Sequence, residues 1–334
     1  MKEIRIAFLG FGTVGRALHE LLERRREDLA RELGVRCRVT GIASRRLGWR
    51  SDEKGLDVQQ PDGTVHPDLQ TWLAASGADV VFEAIPLDPM HGQPALDYLR
   101  AALQHGAHAI SANKGPVVHG YRELVQLAAA RGLEYRFESA VMDGAPVFSL
   151  VRECLPMSGL HAIRGVFTST ATVVLEAIER GATLDDGVAE AQRLGIAEAD
   201  PTYDLDGWDS AVKLCALGNV LLEGALPPAD VERVGIRALG EEEIRRAAAE
   251  GQPYRLVGEI TRDGSGRVNA RVAPSRCRID GPLGVVHGAS LVMHYMTDVF
   301  PGGLTVSSHD PDPVTTAYGM LADFVAVMKR RAHA

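Results

Sequence analysis

The tract Gly10-Phe11-Gly12-Thr13-Val14-Gly15 constrains this 334-residue chain more than any other feature, because of what flanks it. The apolar run Ile4 to Leu9 precedes it, and a helical pattern with apolar residues at Val14, Leu18, Leu21 and Leu22 follows. A strand, a tight glycine turn and a helix N-terminus, in that order, present backbone N–H groups and a positive dipole end to an anion such as a dinucleotide pyrophosphate. Gly10 is expected to make the turn, Gly12 to let the backbone approach phosphates and Gly15 to let helix and strand pack closely, with Thr13 and Val14 at the helix start. An ordinary glycine-rich turn is the plainer alternative.

The acidic residue that would take a bare ribose is missing from the end of the next apolar run, Val39 to Ala43, where Ser44-Arg45-Arg46 stands instead. Two guanidiniums and a hydroxyl suit a 2′-phosphate, which favours NADP(H) over NAD(H); a solvated basic loop is the alternative. Short apolar runs alternate with helical patterns as far as Phe137, and this predicts a parallel, doubly wound Rossmann-type sheet, with Trp49–Pro67 as a surface connection. After Pro146 longer helical patterns precede strand-like pieces at Tyr254–Arg262, Arg267–Ala273 and Ser290–Met296, which predicts a second, α+β domain. The expected division is therefore α/β overall: residues 1–137 for the dinucleotide, 138–304 for substrate binding and dimerisation, and 305–334 returning to the first domain. Thr183 with Asp186 reads as a capping box opening a helix.

Charge narrows the partners. Lys plus Arg number 36 against 44 Asp plus Glu, and no basic tract is long enough to suggest nucleic acid or an anionic membrane. No apolar stretch approaches the roughly 20 residues needed to span a bilayer. The four cysteines, Cys37, Cys154, Cys215 and Cys277, lack metal or disulfide spacing, which fits a reducing, cytoplasmic setting.

Three constellations carry chemistry. Glu198, Asp200, Asp204, Asp206 and Asp209 place five carboxylates in twelve residues, leading into a helix on which Asp209 and Lys213 lie four apart on one face. Calcium is disfavoured, since aligning Gly207 with the EF-hand glycine puts Lys213 where the bidentate Glu belongs. A surface ion pair is the bland account; the functional one is carboxylates holding a substrate ammonium beside a lysine at the reacting oxygen. Second, Ser111-Ala112-Asn113-Lys114 ends an apolar strand, where an open sheet binds ligands, so Lys114 is a candidate proton donor or acceptor or simply an exposed turn lysine. Third, Glu138–Pro146 runs from a strand end into a Gly-Pro turn, either an oxygen-lined cation site or an ordinary crossover.

Taken together, GFGTVG, the Ala-Asn-Lys segment, the Glu138–Pro146 turn and, above all, GIAEADPTYDLDGWDSAVK from Gly195 to Lys213 resemble homoserine dehydrogenase. The resemblance covers nearly the whole chain. It implies an NAD(P)-dependent oxidoreductase of threonine and methionine biosynthesis that interconverts L-aspartate 4-semialdehyde and L-homoserine, a short form without ACT or aspartate-kinase modules, and a homodimer. It implies Lys114 and Lys213 as catalytic lysines, and Glu198, Asp204, Asp209 and Thr170 at the substrate. Pro86 and Asn113 join the cofactor-binding positions. A sodium ion is implied among Glu138 and the carbonyls around Val141, Asp143 and Ala145. Folding is then expected to bring both amines and the acids up to the nicotinamide.

The chain departs from the family at three places. Thr168-Ser169-Thr170-Ala171-Thr172-Val173 replaces Asn-Gly-Thr-Thr-Asn-Tyr, Met142-Asp143 replaces small residues, and His309-Asp310-Pro311-Asp312-Pro313 replaces a glycine-rich loop. Alternatives are thus a related enzyme acting on another small amino or hydroxy acid, or a cofactor-binding sensor without turnover.

Overall fold

The computed structural model describes residues 1–333, with side chains to Arg330, and divides into two compact units: Met1–Pro146 together with the chain from Asp312 onward, and Val147–Pro311. The first unit runs β1 (Lys2–Leu9), α1 (Thr13–Arg24), α2 (Arg26–Leu33), β2 (Val35–Ser44), β3 (Gly48–Ser51), β4 (Thr64–His66), α3 (Leu69–Ser76), β5 (Val80–Glu83), α4 (Ala95–His105), β6 (His108–Ser111), α5 (Lys114–Ala130), β7 (Tyr135–Arg136) and the single turn α6 (Ser139–Met142). Its sheet has the order β4-β3-β2-β1-β5-β6-β7. β1 is apolar and buried without a break from Ile6 to Leu9 because both its faces are covered there. Ile4, Ile6 and Phe8 pack with Leu18 and Leu22 of α1, while Ala7 and Leu9 pack with Trp72, Ala101 and Ala102 on the other side.

The order in which the chain adds strands reverses between β1 and β5, which pair in parallel, since β2 lies on one side of β1 and β5 on the other. Ligands bind outside the carboxyl ends of strands at such a point. Leu9 pairs with Glu83, and Glu83 with Ser111, so three strands end on one line with Gly10 and Asn113 just beyond it.

Three expectations need correction here. The segment Trp49–Pro67 is not simply a connection: it carries most of β3 and all of β4, which extend the sheet in antiparallel fashion. Trp49 is held there by the rings of Trp72 and Tyr98, a tertiary contact that periodicity does not reveal. The first long helix breaks at Arg25, where five successive exposed residues, Glu23 to Glu27, give no burial to hold it straight. And Lys114 does not stand in a plain turn: α5 begins at it, because Gly115 and Pro116 fall in the first helical turn, where a missing amide costs nothing.

The second unit runs β8 (Leu160–Val166), α7 (Ser169–Glu179), α8 (Leu184–Arg193), α9 (Thr202–Leu205), α10 (Trp208–Leu221), β9 (Glu232–Arg233), α11 (Glu241–Ala249), β10 (Tyr254–Arg262), β11 (Val268–Arg276), β12 (Leu291–Thr297) and β13 (Leu304–Ser308). Its sheet, β13-β12-β8-β10-β11-β9, is antiparallel except where β9 joins β11. The central strand β8 precedes the helices, so the order is not helices and then strands. The capping box at Thr183 and Asp186 is present, each side chain meeting the other's backbone N–H. Residues 150–154, in the stretch after Pro146 where helical patterns are expected, form a π-helical turn. The last helix, α12 (Pro313–His333), belongs to the first unit, where Phe324, Val327 and Met328 join the core around Phe8 and Phe82. Among the described residues no helix is long and apolar enough to cross a membrane.

Candidate active site

In the first unit the glycine turn is shaped by three different constraints. Gly10 sits at φ +91°, and a Cβ there would stand 2.5 Å from the Ala84 carbonyl oxygen. A Cβ on Gly15 would stand 2.6 Å from the Gly10 oxygen, so helix and strand meet backbone to backbone. Gly12 instead faces open space, with nothing within 4 Å of its Cβ position. It caps α1 without a side-chain hydrogen bond, and the first turn carries no acid. The first amides of α1, at exposed Thr13 and half-buried Val14, therefore have no carboxylate competing with a phosphate. This cradle fits a dinucleotide.

The Gly10 N–H donates to the Ala43 oxygen (2.8 Å), which ties the glycine turn to the end of β2. Ser44 follows, its hydroxyl accepting from Leu47 N–H (3.1 Å) to close the β2–β3 turn. Arg45 and Arg46 are exposed in that turn, and among the described residues neither forms an ion pair.

Across the strand ends, Glu83 is fully buried, and burial pushes its carboxyl up to about 7 against the pull of hydrogen bonds from Ser111, Ile85 and Asn113. Its Oε2 accepts from the Ser111 hydroxyl (2.5 Å); its Oε1 accepts from the Ile85 N–H (2.8 Å) and the Asn113 Nδ2 (3.3 Å). The Asn113 oxygen caps α5 by accepting from the Gly115 N–H (3.0 Å), and Lys114 is the first helical residue. Pro86 is exposed in the loop after β5. Glu83 escaped the sequence reading; the available signal was an acid closing the apolar strand Val80-Val81-Phe82.

The Glu138–Ala145 turn packs on the start of α12. Glu138 is buried and its N–H donates to Asp323 (2.7 Å). Ser139 donates to the Thr316 oxygen (2.6 Å), and Thr316 donates to Asp143 (2.9 Å), whose φ of +54° bends the chain. The Ala145 N–H donates to the Met142 oxygen (3.0 Å), and buried Val141 lies inside α6. Gly144 has no room for a Cβ, which would lie 2.1 Å from the Thr315 oxygen. Among the described residues no three His, Cys, Asp or Glu side chains gather as a metal site.

In the second unit, chemistry gathers at the start of α7. Phe167 is fully buried against Gly165 and Gly258, paired glycines on β8 and β10 whose missing Cβ atoms leave room for its ring. That seat aims the Phe167 carbonyl at the Lys213 ammonium (2.5 Å), which also pairs with Asp209 one helical turn earlier on α10 (2.8 Å). Lys213 is 12% exposed and Asp209 14%, so this is a largely desolvated ion pair rather than a surface one. Beside it, Thr170 donates to Asp204 on α9 (2.6 Å). Tyr203, next in sequence to Asp204, has its phenol pushed well up, first by burial and then by Asp209 and Asp204.

The five acids do not act as one cluster. Asp200 accepts from the Thr202 N–H (3.0 Å), Asp206 pairs with Arg237 (3.3 Å), and Glu198 is exposed, its carboxylate bonded to nothing among the described residues. Only Asp204 and Asp209 join Thr170 and Lys213. Of the departures, Ser169 donates to the Ala289 oxygen (2.6 Å) and Thr172 to the Thr168 oxygen (3.4 Å), so both hydroxyls are turned to backbone. His309, just after β13, lies between Ser290 and Ser307 at the paired ends of β12 and β13, 3.4 Å from each hydroxyl.

Comparison with known proteins agrees over the whole chain. A family model described as homoserine dehydrogenase matches residues 146–325, and one described as the homoserine dehydrogenase NAD binding domain matches residues 10–138. An NAD(+)-dependent homoserine dehydrogenase of Pseudomonas canavaninivorans is 33% identical over 98% of this chain and 97% of its own. The crystal structure of a homoserine dehydrogenase from Thiobacillus denitrificans superposes with a TM-score of 0.87 at 29% identity, covering 100% of this chain and 75% of that one. A hyperthermophilic archaeal homoserine dehydrogenase in complex with NADPH gives 0.81 at 26% identity, covering 98% of both chains. The chain belongs to the homoserine dehydrogenase family and carries its activity, the NAD(P)-dependent interconversion of L-homoserine and L-aspartate 4-semialdehyde.

Proposed function

We propose that Lys213 is the residue that stabilises and protonates the substrate oxygen in this reaction, with Lys114 as the second catalytic lysine. The observation that carries this is the desolvated Lys213 ammonium held by Asp209 and the Phe167 carbonyl. Bound NAD(P)H supplies the hydride in reduction and NAD(P)+ accepts it in oxidation. As the aldehyde carbon gains hydride, its oxygen gains negative charge, and a fixed ammonium in a low-dielectric setting stabilises that charge without reorganising. Lys213 then gives the oxygen a proton, and the alcohol results. In oxidation the same group takes the proton back. Asp209 holds the ammonium in place, Asp204 is set by Thr170 to receive the substrate's α-ammonium, and Glu198 closes on that ammonium from the loop before α9.

Gly10, Gly12, Thr13, Val14 and Gly15 would hold the pyrophosphate, and Pro86 and Asn113 would complete the cofactor site. Ser44, Arg45 and Arg46 make NADP(H) the preferred partner over NAD(H); two unpaired guanidiniums and no acid at the end of β2 support this. Glu138 and the carbonyls around Val141, Asp143 and Ala145 offer the all-oxygen set that suits a sodium ion. The four cysteines, none in a disulfide, suit a cytoplasmic enzyme, and homodimerisation rests on the family resemblance.

The test is to assay homoserine oxidation and aspartate-semialdehyde reduction with both cofactors. Wild type is expected to favour NADP(H) in kcat/KM, and replacing Arg45 and Arg46 by Ser to cut that preference about 30-fold through lost charge-assisted hydrogen bonds. Equal use of the two cofactors by wild type overturns the preference.

A further inference from the structure

We propose that Glu83 is a positioning residue of this enzyme: its carboxyl group fixes which way the Asn113 amide points, and through it the turn of α5 on which Lys114 stands. This rests on the assignment of Lys114 as catalytic. A carboxyl with no exposed surface, on a strand otherwise made of Val80, Val81 and Phe82, loses hydration that only well-made hydrogen bonds replace. Glu83 has three such bonds, and all of them lead to the strand ends.

An amide is nearly symmetric in shape, so packing alone does not decide which end of Asn113 faces inward. Chemistry does. The Glu83 Oε1 accepts from the Ile85 N–H at 2.8 Å, and it therefore presents only an acceptor to the Asn113 amide. The NH2 end must turn toward it, where it also reaches the Ile85 oxygen at 3.4 Å. The oxygen end is thereby left to cap α5 through the Gly115 N–H at 3.0 Å. The Glu83 Oε2 meanwhile engages the Ser111 hydroxyl, which accepts from the Asn113 N–H at 3.0 Å, so one carboxyl holds both the backbone and the side chain of Asn113.

The arrangement holds in either protonation state. Oε1 remains an acceptor throughout; only the Oε2–Ser111 bond changes direction, and the Ser111 hydroxyl then turns to the Asn113 backbone carbonyl oxygen 3.5 Å away. Glutamine reproduces this pattern, with its oxygen in place of Oε1 and its NH2 donating to Ser111. Leucine has the size of Glu83 but neither acceptor.

The experiment compares Glu83→Gln, Glu83→Leu, Asn113→Asp and Lys114→Met in the full-length enzyme by thermal melting, NADPH titration and steady-state kinetics with homoserine. Glu83→Leu is expected to lose about 30-fold in kcat with KM and NADPH affinity within about threefold, the signature of a misplaced group rather than lost binding. Glu83→Gln is expected to stay within about threefold of wild type in every constant. Asn113→Asp keeps the cap but removes the NH2 that Glu83 orients, so it reproduces the Glu83→Leu loss in kcat, whatever it adds at the cofactor, and decides the matter if Glu83→Leu does not fold. Near-wild-type kcat in folded Glu83→Leu or in Asn113→Asp, or equal damage in Glu83→Gln and Glu83→Leu, overturns the proposal. Lys114→Met separates the two claims: if it stays active, the assignment of Lys114 fails, whereas an inactive Lys114→Met beside an active Glu83→Leu sinks only the role of Glu83.

Discussion

The glycine turn after β1 and the Lys213 cluster beside α7 are built on opposite plans. The first is made of backbone from six consecutive residues, and its specificity lies in atoms that are absent: no Cβ at Gly10, where the Ala84 oxygen stands, and none at Gly15. The second is made of side chains and one carbonyl brought together from Phe167, Thr170, Asp204, Asp209 and Lys213, spanning 46 positions between Phe167 and Lys213. The difference teaches where each is fragile. A backbone cradle is damaged by adding atoms, and a desolvated charge cluster by removing one.

The largest expected effect tests the second plan. Lys213→Ala should lower kcat by about 10³-fold, within the range for losing a proton donor and its electrostatic stabilisation, while NADPH binding changes less than about threefold. Stopped-flow and titration measurements separate the two; an active variant dissolves the contrast. Gly10→Ala tests the first plan by addition. At φ +91° and 2.5 Å from a carbonyl oxygen, the methyl group should cost roughly 3 kcal/mol of stability and weaken NADPH binding about tenfold or more, read from melts and titration. Unchanged binding would mean that the cradle is looser than its contacts indicate.

Thr170→Val removes one hydroxyl beside Asp204 at nearly constant volume. KM for homoserine should rise about tenfold, the worth of a hydrogen bond to a charged group, with a smaller change in kcat. The smallest effect on activity, but one with a definite sign, comes from Glu83. In the folded chain its carboxyl holds a proton up to about pH 7, against 4.5 ordinarily, so between those values the folded state binds more protons than the unfolded. Its contribution to stability is complete below about pH 4.5 and is lost as pH rises to about 7, by at most about 3 kcal/mol at 1.4 kcal/mol per pH unit. Denaturant melts at pH 5 and pH 8 should show this fall in wild type and a shallower one in Glu83→Gln. Equal slopes would show that Glu83 ionises normally.

Much of the first unit was legible because its signals are local. A glycine tract between an apolar strand and an amphipathic helix has few other ways to fold, and the capping box at Thr183 is likewise written in four residues. The long stretch from Gly195 to Lys213 gave the family from the order of its residues, and the i, i+4 spacing placed Asp209 and Lys213 together before any fold was known. What was not legible depended on partners distant in sequence. β3 and β4 exist because Trp49 meets Trp72 and Tyr98, and β8 is a strand because it is clasped between β10 and β12.

The sequence by itself determined the dinucleotide turn, the family and the identity of the reacting lysines' candidates, because each is carried by residues adjacent in the chain or one helical turn apart. Only the tertiary structure decided which acids stand together. Asp204 and Asp209 are turned to Thr170 and Lys213, whereas Asp200 and Asp206 are spent on a turn and an arginine, and Glu83, marked in the sequence only by closing an apolar strand, holds the start of α5 through Asn113. A carboxylate's role is set by which donors surround it and how far water is excluded, and neither quantity exists until distant segments have packed.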